Sequence, residues 1–227
     1  MRPGRGLEHP TLDTIAAAYS AVVIERQLQL ERLFEAGDWS LDLERGVLDV
    51  RGRALDVVLL ARTDSVAGTW QWAWQTPHNQ TVRASAHRIA PLIEIGQRYD
   101  VPELATGTLR LSGVHDGGQG PGHTLAITGC GVLASRGYFP ATYDGGAAWL
   151  LITDSRLRTR APDAQHAVRL LDAAVARFPH DNRLTVETYL GVHGIQARDE
   201  GDQLTAAFAD GDVRFTFDST GRLRRTD

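Results

Sequence analysis

Three indoles at alternate positions, Trp70, Trp72 and Trp74 in the run Thr69-Trp70-Gln71-Trp72-Ala73-Trp74-Gln75, are the side chains of this sequence best suited to bind another molecule. On a β-strand, residues two apart share a face, so the three rings would form one aromatic surface carrying three N–H donors. Such a surface can stack on a sugar, a nucleobase or a proline-rich peptide. Helices packed on the strand would instead bury the same rings as core. The two readings differ in one observable, the exposure of the indoles. His78, just after the strand, and His115 and Asp116, at the start of the loop Gly117-Gly118-Gln119-Gly120-Pro121-Gly122, complete the candidate binding residues.

Nucleophilic chemistry has one candidate, Cys130 in Thr128-Gly129-Cys130-Gly131. A catalytic thiol needs access, a nearby base and a lowered pKa; His115 or His123 would be the base, and a hydrolase-like cleft would gather His78, His115, Asp116 and Cys130. A thiol among small residues is otherwise inert packing. The eight histidines include no pair at the three- or four-residue spacing of helical zinc ligands. His115, Asp116 and His123 bracket the glycine loop and form no complete metal set, so no metal, no other cofactor and no catalytic residue is assigned. The loop lacks the Gly-Lys-Ser/Thr of a P-loop and the context of a dinucleotide fingerprint. Asp42, Asp49 and Asp56 fall near turn residues, with nothing to fix two carboxylates at a working separation, and no Gly-x-Ser-x-Gly turn occurs.

Composition removes whole classes. The 227 residues contain 24 cationic side chains, all Arg, so Schiff-base lysines, pyridoxal-phosphate enzymes and kinase or P-loop lysines are excluded. With 28 acids and a net charge of -4 there is no field to hold nucleic acid. The basic runs Arg156/Arg158/Arg160 and Arg222/Arg224/Arg225 read as solvated edges. A single cysteine forms no internal disulfide and fits the cytoplasm. The apolar stretch Ile15–Ile24 is short of the roughly 20 residues that span a bilayer, and Glu8 and Asp13 spoil its likeness to a signal peptide. It reads as a soluble helix, with no membrane partner.

The elements that must position these residues follow from periodicity. Helical spacing covers 12–36, with Gly37 as its stop. Period-two alternation then runs through Trp39–Glu44, Val47–Val50, Ala54–Ala61 and Thr69–Gln75, separated by short Gly turns, which predicts an antiparallel meander. A second helix spans 81–98 and is kinked or restarted at Pro91. Leu109–Leu111 is a short extended piece, His123–Ala134 a helix, and Tyr138 to Thr153 a hairpin around Asp144-Gly145-Gly146. After a polar linker at 156–163 come two helices, Ala164–Phe178 and Asp181–His193, and three strands, Ile195–Arg198, Leu204–Phe208 and Val213–Phe217.

The Trp strand, Trp39 ahead of it, the helix after it and Tyr138 before Trp149 together resemble an uncharacterised bacterial domain family with a Trp-x-Trp-x-Trp strand ending in Asn-Pro. Here Thr76 stands in the Asn position before Pro77. The resemblance covers roughly residues 35–155 and implies a fold relationship without catalytic residues. The expected fold class is α+β: antiparallel β-meanders packed with amphipathic helices in 1–158, and a smaller C-terminal helix–meander unit in 159–227. The expected function is non-catalytic binding of an unknown small molecule or protein through the aromatic surface. The alternatives are the hydrolase-like cleft and an immunity-type toxin inhibitor that uses the acidic loops Asp199-Glu200 and Asp210 to Asp212.

Overall fold

The switch from helical to alternating periodicity near residue 37 is reproduced in the computed structural model, which describes residues 10–34, 38–75, 80–158 and 161–226, with backbone alone for 80–82, 225 and 226. Helix α1 (Leu12–Phe34) is followed by strands β1 (Trp39–Asp42), β2 (Val47–Val50), β3 (Arg53–Asp64) and β4 (Thr69–Trp72). Helices α2 (Gln80–Arg98) and α3 (Pro102–Ala105), strand β5 (Thr108–Arg110) and helix α4 (Pro121–Val132) lead to the hairpin β6 (Tyr138–Tyr143) and β7 (Gly146–Ile152). Then come α5 (Ala164–Arg177), α6 (Asn182–His193) and strands β8 (Ala197–Asp199), β9 (Gln203–Phe208), β10 (Gly211–Phe217) and β11 (Leu223–Thr226). The fold is α+β with antiparallel sheets.

Two compact units emerge: Arg26–Arg158, and Met1–Glu25 with Thr159–Asp227. One division falls between residues 158 and 159. The other lies inside α1, so the helix expected to open the N-terminal domain gives its first part to the C-terminal unit.

In the Arg26–Arg158 unit, seven strands form one sheet around β3. The first four residues of β3 pair with β2, Ala61–Asp64 pair with β4, and Val57–Asp64 pair with β7. The register slips between Leu59 and Ala61, making Leu60 the extra residue of a bulge. A Cβ on Gly129 of α4 would come within 3.0 Å of the Leu60 side chain, so the missing Cβ is what lets α4 approach the strand.

Helix α2 runs on through Pro91. Pro91 and His87 are both exposed, so the His87 carbonyl that loses its helical donor lies on the wet side of the helix.

In the other unit the sheet has the order β11-β10-β9-β8. Leu204, Ala206 and Phe208 alternate with Gln203, Thr205 and Ala207, and Val213, Phe215 and Phe217 with Asp212, Arg214 and Thr216. The buried sets pack with Val22, Leu170, Leu171, Val186 and Tyr189. Burying one such large side chain fully contributes about 1.5–3 kcal/mol. Asp163 and Asp181 cap α5 and α6, accepting from the backbone N–H of His166 and Leu184. The fourth strand, β11, is an edge strand and carries Arg224 and Arg225 of the second basic run, with Arg222 just before it. Asp218 accepts from Arg224 at 2.9 Å and also caps the turn that precedes β11.

Candidate functional site

The Trp strand is core. Trp70 and Trp72 share one face of β4 and are wholly buried. Trp149 of β7 joins that face through Ala61, which is paired with Trp72 on one side and Trp149 on the other. The Trp70 ring stands 5.2 Å from that of Trp72 and 5.3 Å from that of Trp149. Gly122 of α4 covers Trp149 so closely that a Cβ would lie 2.6 Å from the ring. The strand ends at Trp72, three residues earlier than the alternation implied. Trp74 lies in the following turn, half-buried and stacked on Trp72 at 4.9 Å. The expected open aromatic surface is therefore corrected for Trp70 and Trp72, whose rings are closed to solvent.

The glycine loop positions α4. Gly120, with φ 108°, makes the entry turn. Thr124 Oγ1 donates to the His115 carbonyl at 2.6 Å, and Asp116 Oδ1 accepts from Gly118 N at 2.8 Å. His123 Nδ1 lies 2.8 Å from the Tyr138 hydroxyl, and its ring packs edge-on to Trp149 at 5.0 Å. His115 and Asp116 are thus exposed residues of a structured turn. His78 lies outside the described residues.

Cys130 is wholly buried on α4, its Sγ 3.6 Å from the Ser135 carbonyl oxygen. Burial pushes the thiol up to about 11; the neighbouring Arg26 guanidinium pulls the other way and is outweighed. Arg26 is itself buried and donates to the Ser135 carbonyl at 2.5 Å, just past the end of α4, where the helix dipole favours a cation. An inaccessible protonated thiol is no nucleophile, so the hydrolase-like cleft of His78, His115, Asp116 and Cys130 loses its reactive group. Among the described residues no group of three or more His, Cys, Asp or Glu side chains could hold a metal ion.

The acidic loops are engaged within their own unit. Asp199 pairs with Arg183 at 2.8 Å, and Asp210 accepts from the backbone N–H of Ala164 at 3.0 Å.

A cleft of about 580 Å³ opens elsewhere in the Arg26–Arg158 unit. The β1–β2 turn supplies Glu44 and Arg45, β3 supplies Asp56, α2 supplies Ser85 and Arg88, and Thr153 follows β7. Each wall is locally fixed. Asp42 Oδ1 accepts from Arg45 N at 2.9 Å, and the Gly46 carbonyl accepts from Val57 N at 2.8 Å. Ser85 Oγ accepts from Leu59 N at 3.2 Å beside the bulge, and both Thr153 N and Thr153 Oγ1 donate to the Asp56 carbonyl. The Glu44, Arg45, Asp56 and Arg88 side chains are exposed, so both signs of charge face the cavity. Beside it, Arg156 clamps the buried Asp154 carboxylate, with its Nε 2.9 Å from Oδ1, and holds that carboxyl down at about 2. Arg156 of the first basic run is therefore bound rather than free; Arg160 lies outside the described residues.

Sequence reasoning missed Arg45, Ser85 and Arg88 as site residues. The one signal available was the i, i+1, i+4 spacing of Ala84, Ser85 and Arg88, which puts them on one side of α2.

Fold and site together define an α+β domain built around a buried Trp strand, with a polar cleft on its surface. The chain belongs to a family of unknown function, DUF6882, whose model matches residues 13–155. The match takes in most of α1 as well as the region of the Trp strand. No curated protein and no solved structure matches the chain. Among the described residues no helix is long and apolar enough to cross a membrane.

Proposed function

We propose that the chain is a non-catalytic binding protein whose site is the cleft between the β1–β2 turn, β3 and α2. The observation that carries this reading is the convergence of two cationic side chains, Arg45 and Arg88, and two acidic ones, Glu44 and Asp56, on one cavity of about 580 Å³. A cavity of that size suits a small molecule. Walls of both signs favour a compact ligand with an anionic and a cationic end, because an ion of one sign would meet like charge as well as opposite charge. The buried, protonated Cys130 supports binding over nucleophilic chemistry. One free thiol supports a reducing cytoplasmic setting, and the net charge of -4 supports a partner other than nucleic acid.

The test is calorimetric titration with a panel of amino acids and related zwitterions, beside their carboxylate-only and amine-only analogues. Binding of zwitterions that is weakened at least tenfold by Arg88→Ala and by Asp56→Asn supports the site. Binding unchanged in both variants, or absent across the panel, removes it.

A further inference from the structure

Three histidines of the unit formed by Met1–Glu25 and Thr159–Asp227 share a pattern among the described residues. His166 of α5, His180 between α5 and α6, and His193 of α6 each face a carboxylate on α1. His193 Nε2 stands 2.8 Å from Glu25 Oε2, His166 Nε2 3.7 Å from Glu25 Oε1, and His180 Nε2 3.9 Å from Asp13 Oδ2. Asp13 and Glu25 lie more than three turns apart on the helix, about 18 Å, so the contacts grip both ends of the stretch that docks on α5 and α6. Thr185 Oγ1 of α6 donates to the Ala17 carbonyl at 3.0 Å between them.

Glu25 is the telling member. Its side chain is 3% exposed and that of His193 6%. Oε1 lies 3.2 Å from the Tyr189 hydroxyl; Oε2 and His193 Nε2, though 2.8 Å apart, are not aligned as a hydrogen bond. A buried carboxylate needs a compensating charge. Asp163 adds negative charge at the α5 cap, where it accepts from His166 N, while Asp181 caps the far end of α6, next to His180. Tyr189 stays a neutral donor, since burial and Glu25 raise its hydroxyl. Arg26, next along α1, donates to Ser135. Among the described residues the cations that reach Glu25 and Asp13 are imidazoles.

We propose that His166, His180 and His193 form a proton-operated clasp: protonated imidazoles complete ion pairs with Glu25 and Asp13 that neutral imidazoles cannot make, and so tighten the docking of Leu12–Glu25 on α5 and α6. The sign follows from charge. A proton bound by an imidazole is stabilised by a carboxylate present only when α1 is docked, so docking strengthens as pH falls and weakens as it rises.

Hydrogen exchange of the full chain, expressed as protection factors for amides of residues 16–25, tests this. Protection is expected to rise about tenfold between pH 8 and pH 6, to rise less in Asp13→Asn, and to stay flat in Asp13→Asn/Glu25→Gln. An equal rise in the variants, or no rise in the native chain, overturns the clasp. Should the double variant not fold, Asp13→Asn and His180→Gln, both in the half-exposed pair, must each diminish the rise; an undiminished rise in both overturns it.

Discussion

Trp72 donates its indole N–H to the carbonyl of Glu103 at 3.0 Å, whereas the indole N–H of Trp70, on the same face of the same strand, is buried without an acceptor. The two rings are equally inaccessible, so they form a natural pair for separating a hydrogen bond from packing. Trp70→Phe and Trp72→Phe remove the same atoms. Trp72→Phe also orphans the Glu103 carbonyl, while Trp70→Phe removes an unsatisfied donor. Urea unfolding is expected to show both variants destabilised, with Trp72→Phe worse by about 1 kcal/mol or more. Equal losses would mean that the Glu103 contact contributes nothing.

Close approach of α4 makes a second comparison. Gly122→Ala drives a methyl into Trp149 and should cost about 1–3 kcal/mol by overpacking. At Gly113 a Cβ meets nothing within 4 Å and the backbone is not in the left-handed region. Gly113→Ala should therefore be neutral or stabilise by up to about 1 kcal/mol. Thermal unfolding of the two variants reads the contrast, and similar midpoints would contradict the packing described.

Cys130 should resist modification. With its thiol buried and pushed up to about 11, the native chain should react with an alkylating reagent at pH 8 far more slowly than free cysteine. Full reactivity should return in denaturant. Fast native labelling would restore the thiol as a chemical group.

Acid sensitivity is expected at Asp154. Arg156 holds its carboxyl down at about 2, below the unfolded value of about 3.9. The stabilisation is thus complete above about pH 4 and disappears as pH falls through about 2. The stability gap between the native chain and Asp154→Asn should be wide at pH 7 and narrow at pH 2.5. Because Arg156 is 64% exposed, added salt should narrow the gap at pH 7 too. A gap that does not change with pH would assign the loss to packing.

Much of the fold was legible because burial imprints a period on the chain. Phe215 and Phe217 against Arg214 and Thr216 define β10, and Asp163 and Asp181 announce the helices they cap. Strand β11 escaped notice because Leu223-Arg224-Arg225-Thr226 has a single apolar residue. The addition of β7 to β3 has no local signature at all: it joins Val57 to Ile152, and sequence patterns report faces, not neighbours. The cleft is hidden for the same reason, since Arg45, Asp56, Arg88 and Thr153 meet only after that pairing. Trp70 and Trp72 were correctly placed on one face, but alternation cannot say whether helices cover it.

The reach of β3 has a consequence for biosynthesis. While a ribosome is still making the chain, residues 57–64 have nothing to bond along one edge until residues 146–152 emerge, because their partner there is β7. Nascent chains stopped short of Gly146 would display an apolar, hydrogen-bond-hungry strand to one another. Fragments ending in that interval should precipitate, and those that include Ile152 should not.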